Sequence, residues 1–123
     1  MRSLRSVAGR VRREMDPRNN LTLVGRCGEA CESIAQTLAF EEGYDDVTIV
    51  GNERHEFVYC NEHFIDVTLT QFHRWVQSIV IVYKMNYDEW LWNCPEWEIT
   101  HAEAIYRNGT RNIIYEETDN ATH

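Results

Sequence analysis

Three residues well separated in the chain, Cys27, His55 and Asp66, have side chains suited to one proton-transfer chemistry. Cys27 follows Gly25-Arg26 and opens a stretch running to Glu42. In it Cys27, Ala30, Cys31, Ile34, Ala35, Leu38 and Ala39 recur at i, i+3, i+4 and i+7 spacing. That period predicts an amphipathic helix with Gly43 as its C-terminal cap. A cysteine at the first helical position sits at the positive end of the dipole, among backbone N–H groups with no partner inside the helix. Such surroundings favour the thiolate, the nucleophilic form of sulfur. The same N–H groups, Gly28's among them, are candidate donors to an oxyanion.

His55–Cys60 and His63–Thr70 read as a hairpin turning at Asn61-Glu62, with alternation in Phe57 and Tyr59 against Val58. A two-residue loop sets Cys60 opposite His63, Phe57 opposite Asp66 and His55 opposite Thr68. His55, Phe57, Asp66 and Thr68 then share one face of the hairpin. His55 and Asp66 become diagonal neighbours, close enough for a carboxylate to hold an imidazole N–H. Packing the apolar stripe of the Cys27 helix on that face is expected to bring the sulfur to the imidazole. The pieces then make a Cys-His-Asp triad of nucleophile, base and orienter.

Three segments carry a resemblance. Gly25-Arg26-Cys27-Gly28-Glu29-Ala30-Cys31-Glu32, His55-Glu56-Phe57-Val58 and Ile65-Asp66-Val67-Thr68-Leu69-Thr70-Gln71-Phe72 resemble the core of small papain-like and transglutaminase-like thiol enzymes. They are most similar to short uncharacterised viral and bacterial members. The likeness spans residues 21–73. It implies an α+β domain in which N-terminal helices pack on a small twisted antiparallel sheet. It also implies a cysteine-dependent amide hydrolase or acyl transferase (peptidase, deamidase or transglutaminase-like) that acts on a peptide or protein and needs no cofactor. Cys27 is then the nucleophile, His55 the base, Asp66 the orienter and Gln71 a supporting polar group. Two positions depart from the pattern: no glutamine precedes Cys27 as an oxyanion donor, only Asn19 and Asn20, and Glu56 stands where an aromatic is usual.

The elements that must hold these residues can also be read from the chain. With 123 residues it has the size of one domain. A basic amphipathic helix is expected in 1–18, the catalytic core in 21–73, and a strand, a Trp-rich segment, a helix and a terminal strand in 74–123. Leu4, Val7, Ala8, Val11 and Met15 fall at helical spacing, and Asp16-Pro17 stops that helix. Leu21–Val24 reads as extended, Val47–Val50 as a short strand, and Ser78–Tyr83 as a strand buried on both faces. Thr100–Arg107 reads as a helix with a Thr100–Glu103 capping box, and Ile113–Tyr115 as a last strand. The longest apolar run, Ile79 to Tyr83, is far short of the roughly 18–20 residues a membrane helix needs.

Charge is uneven. The first 18 residues carry six arginines against two acids, and the remainder 6 basic against 18 acidic side chains, for a net −8 overall. An acidic body disfavours nucleic-acid binding. The arginine stripe is expected to be a solvated helix face or to dock on the protein's own acidic surface. Cys27, Cys31, Cys60 and Cys94 show no disulfide-scaffold spacing, and the N-terminus has no apolar signal-peptide core, so a reducing, cytoplasmic setting is expected.

Two rival uses of the same features stand beside the triad. Cys27, Cys31, Cys60 and His63 make a possible structural zinc set, although i, i+4 on a helix is not knuckle spacing. The acidic body and Trp75, Trp90, Trp92 and Trp97 would suit a non-catalytic binding module on the same fold, such as a viral inhibitor. His73 and His101 show no partner pattern.

Overall fold

The computed structural model describes residues 2–21, 23–72, 77–86 and 98–117. Among these, two helices pack on a six-stranded antiparallel sheet, an α+β arrangement as expected. The elements are α1 (Leu4–Met15), α2 (Cys27–Gln36), β1 (Thr48–Gly51), β2 (Glu56–Cys60), β3 (His63–Asp66), β4 (Val80–Tyr83), β5 (His101–Ile105) and β6 (Arg111–Glu116). The sheet order is β4-β3-β2-β1-β5-β6. No helix among the described residues is long and apolar enough to cross a membrane.

Helix α1 begins at Ser3, whose hydroxyl accepts the Ser6 N–H, and it buries Leu4, Val7, Ala8 and Val11. Its basic stripe divides. Arg2 pairs with Glu42 and Arg10 with Glu41, docking on the acidic body. Arg12 corrects the solvated-face expectation, because it is buried. Its guanidinium donates to Asp16 Oδ2, to Thr70 Oγ1 and to the carbonyls of Val67 and Leu21. Burial pushes the Asp16 carboxyl up, but backbone donors Asn20 and Leu21 together with Arg12 hold it below its ordinary value. One buried arginine thus ties α1 to the chain on both sides of the cysteine helix. Against the expected extended piece, Leu23 is buried at a positive φ of 58° and Val24 lies in a turn.

Helix α2 follows its apolar period and continues as a π-helical turn at Thr37–Glu41. Gly43, at φ 80°, follows the turn that ends it. Ala30, Cys31, Ile34, Ala35 and Leu38 pack with α1 and with Val47, Ile49, Val58, Cys60, Ile65 and Val67 from the sheet. Burying each large aliphatic side chain here contributes about 1.5–3 kcal/mol. A second cluster, with Val50, Phe57, Phe64, Leu69, Val80 and Val82, forms on the other face.

The β2–β3 hairpin has the expected register, Cys60↔His63, Tyr59↔Phe64 and Val58↔Ile65. Asn61 and Glu62 both take positive φ, 51° and 65°, as a two-residue type I′ turn requires. Strand β4, an edge of the sheet among the described residues, packs Val80 and Val82 into one cluster and Ile81 against the other, and it is Tyr83 at its end that is exposed. Two expectations need correction. Strand β3 stops at Asp66, and a short 3₁₀ turn, Leu69–Gln71, follows it. Residues 101–105 form a strand, not a helix: Ala102, Ala104 and Ile105 are buried, and β5 pairs with both β1 and β6. Ladder pairing overrides the helix propensity of Ala and Glu there. Asn108-Gly109 accordingly closes a hairpin, and the expected last strand is β6, Arg111–Glu116. The expected Trp-rich segment and Trp75, His73 and Cys94 lie outside the described residues.

Gly51 ends β1 against the start of β2. A Cβ placed there would lie 2.2 Å from the His55 carbonyl oxygen and 2.8 Å from the Glu56 Cα. Both are backbone atoms that cannot turn aside. Gly51→Ala is therefore expected to cost about 3 kcal/mol in a urea unfolding titration. A loss below about 0.5 kcal/mol, the level of an inert surface change, would contradict that role.

Candidate active site

The site forms where the N-terminus of α2 meets the start of β2. Cys27 is the first residue of α2 and is half-buried. Arg26 precedes it without a capping side chain, and the first helical bond runs from the Ala30 N–H to the Arg26 carbonyl. The N–H groups of Cys27, Gly28 and Glu29 thus open the helix without an i−4 acceptor. The stripe of α2 does not pack on the face that carries Phe57 and Asp66, as the sequence suggested. It packs on the opposite face, against Val58 and Ile65. The sulfur meets the imidazole because the helix end lies over the beginning of β2. There the Cys27 thiol comes near enough to the His55 side chain and the Glu56 backbone N–H for both to lower its pKa.

His55 is almost wholly buried and is held from several sides. Its backbone N–H donates to Asn52 Oδ1 at 3.0 Å, and its carbonyl accepts the Asn52 N–H at 2.9 Å. The ring stacks on Phe57 and takes the edge of Phe72, with centroids 6.0 and 5.1 Å away. Nε2 lies 2.5 Å from Asp66 Oδ2, which places its proton on the carboxylate side. Nδ1 is left without a proton. Asp66 Oδ1 in turn accepts the Thr68 N–H at 2.8 Å and the Thr68 hydroxyl at 3.4 Å. Gln71 spans the gap: Oε1 accepts the Gly25 N–H at 3.0 Å, and Nε2 faces His55 Nδ1 at 3.2 Å.

The electrostatics follow from these contacts. The hydrogen bond to His55 lowers the Cys27 pKa from its ordinary 9.0; burial opposes this, and the Glu56 N–H assists it. Burial alone would lower the His55 pKa. The hydrogen bonds to Asp66 and Cys27 outweigh it and raise the value from 6.5 to about 9. The other described cysteines move the opposite way. Burial drives Cys31 well up, and burial with the nearby Asp46 carboxylate raises Cys60. Among the described thiols only Cys27 is tuned toward the thiolate.

The structure therefore brings together Cys27, His55, Asp66 and Gln71, and puts Gly28 at the open helix end. The zinc set does not assemble. Cys60 contacts Asp46 Oδ1 and Cys31 packs in the core, and no group of three or more candidate metal ligands occurs among the described residues. Sequence reasoning missed Asn52, the contact of the Phe72 ring with His55 and the bonding role of Thr68. Two of these had a legible signal. Asn52 after Gly51 and the Asp66-x-Thr68 spacing both suit side chains that cap their own backbone two residues on. Comparison with protein-family models, with curated proteins and with solved structures finds no match for this chain.

The two shifts act on stability with opposite signs. The His55 contribution is complete below about pH 6.5 and is lost as pH rises through about 9. The Cys27 thiolate contribution grows with pH from its lowered value up to the unfolded 9.0. In a Cys27→Ser variant only the Asp66 share of the first remains, so stability should fall as pH rises above about 6.5, over a window that closes below about 9, while the wild-type profile stays flatter. Denaturant midpoints across this range test it. A Cys27→Ser profile as flat as that of a Cys27→Ser/His55→Gln double variant would contradict the assignment.

Proposed function

We propose that this protein is a cysteine-dependent amide hydrolase or acyl transferase of papain-like or transglutaminase-like type, acting on a peptide or protein amide. The observation that carries this reading is the buried His55–Asp66 pair, whose imidazole lies near Cys27 at the start of α2 and lowers the thiol pKa. His55 Nδ1 takes the proton of the Cys27 thiol, and the sulfur attacks the amide carbonyl. The open N–H groups at the start of α2, Gly28's among them, stabilise the oxyanion. Once Nδ1 holds a proton, the Gln71 Nε2–H beside it loses its acceptor and becomes a second donor. The C–N bond then breaks as Nδ1–H protonates the leaving amine, giving a thioester on Cys27. Water or a second amine, deprotonated by His55, attacks the thioester and releases Cys27.

Asp66 keeps the imidazole in the tautomer this sequence needs. The site calls for no metal or cofactor in any of these steps. Recognition of a neutral peptide chain also fits the acidic body better than a phosphate backbone would.

A neutral haloacetamide at pH 7 should label Cys27 at least about tenfold faster than Cys31 or Cys60, one pKa unit being worth a factor of ten. His55→Ala should remove that advantage, and an acyl electrophile should give a thioester on Cys27 that Cys27→Ala abolishes. Equal labelling of the three thiols, unaltered by His55→Ala, would favour the binding module on the same fold. Strand β6, with Ile113, Ile114 and Tyr115 exposed, offers that reading a surface.

A further inference from the structure

We propose that Glu56 is a specificity-determining residue that selects an acyl donor carrying a cationic side chain next to the reacting carbonyl. This rests on the thiol-enzyme reading of Cys27. Glu56 follows His55 in the chain and opens β2, so its backbone is fixed by the element that positions the base. Its side chain runs to the helix end, where Oε1 lies 3.6 Å from the point a Gly28 Cβ would occupy. Glycine at position 28 leaves the space between the carboxylate and the helix N-terminus unfilled. The carboxylate is open on its outer side, with 36% of the side chain exposed.

Its charge is at odds with the proposed chemistry. A carboxylate beside the reacting sulfur opposes thiolate formation, and the Coulomb effect of Glu56 on Cys27 has that sign. His101 Nε2 faces Glu56 Oε2 at 3.4 Å across the sheet, a long contact that is charged only when the imidazole is protonated. A group needed only to fill space beside the helix end would carry no such penalty. The penalty becomes useful when the bound ligand brings a positive charge. A Lys or Arg side chain on the acyl donor would neutralise Glu56, relieve its effect on the thiolate and place the neighbouring carbonyl at the α2 end. An acidic donor would be repelled by Glu56 and by the surrounding negative charge.

The test uses the full chain and three methanethiosulfonate reagents, one trimethylammonium, one neutral and one sulfonate, each read at Cys27 by mass spectrometry. Dividing by the neutral rate removes any change in thiolate fraction. The cation-to-anion ratio is expected to fall about tenfold or more in Glu56→Gln, as removal of a unit charge a few ångströms away requires. It should rise in His101→Ala, which leaves the carboxylate unshared. Peptidyl acyl electrophiles with Lys, norleucine or Glu next to the reactive carbonyl then locate the cation. Lys should be preferred by the wild type and not by Glu56→Gln. A ratio unchanged by Glu56→Gln, or no Lys preference in the peptides, overturns the proposal. Failure of the thiol-enzyme reading is separately visible, as a neutral reagent that does not single out Cys27.

Discussion

The site depends on the burial of two charged or chargeable side chains, His55 and Asp66, at almost zero exposure. An ionised carboxylate in such a place is very costly unless its oxygens are matched by donors. Here one oxygen takes the imidazole N–H and the other takes the backbone and hydroxyl of Thr68. Asp66 is therefore stable only while the imidazole points one way, and Nδ1 is then left off the carboxylate, facing Gln71. The lowered pKa of Cys27 follows from the imidazole that satisfies this buried carboxylate.

The remainder of the fold keeps that match in place. Gly51 permits β1 to lie against the His55 backbone, and Asn52 bonds to that backbone in both directions. Arg12 reaches from α1 to Val67, Thr70 and Leu21, bracketing the turn that carries Thr68 and Gln71 and the loop that leads to Gly25. Gln71 then closes the bracket by holding the Gly25 N–H, two residues before Cys27. The helix that begins with Cys27 is thus tethered to the turn that follows the carboxylate. Removing one partner of a buried ion pair such as Arg12–Asp16 typically costs about 3–5 kcal/mol, so this bracket is also a large part of the local stability.

Much of this was legible in the chain. The period-two hairpin with a two-residue Asn61-Glu62 loop fixed which residues oppose which, and that register put His55 and Asp66 within reach. The helical period from Cys27 likewise placed the thiol at a helix start. What failed did so for physical reasons. Periodicity identifies the apolar stripe of α2 but not which of two sheet faces receives it, because both faces of β2 and β3 bury apolar residues. Residues 101–105 carry helix-favouring Ala and Glu, and only the vacant edges of β1 and β6 make a strand of them. Arg12 looked like its solvated neighbours because its partners, Val67 and Thr70, lie more than fifty positions away. Glu56 stood out only as a departure from a pattern, and its place beside the sulfur needed coordinates.

The central claim is that the buried carboxylate, acting through the imidazole, sets the protonation state of Cys27. Ultraviolet thiolate absorbance, followed against pH as the difference between the wild type and Cys27→Ala, measures that state directly. The wild type should show Cys27 ionising below the ordinary 9.0, and Asp66→Asn should move the transition back toward it. A Cys27 transition at or above 9.0, or one that Asp66→Asn leaves in place, would contradict the account.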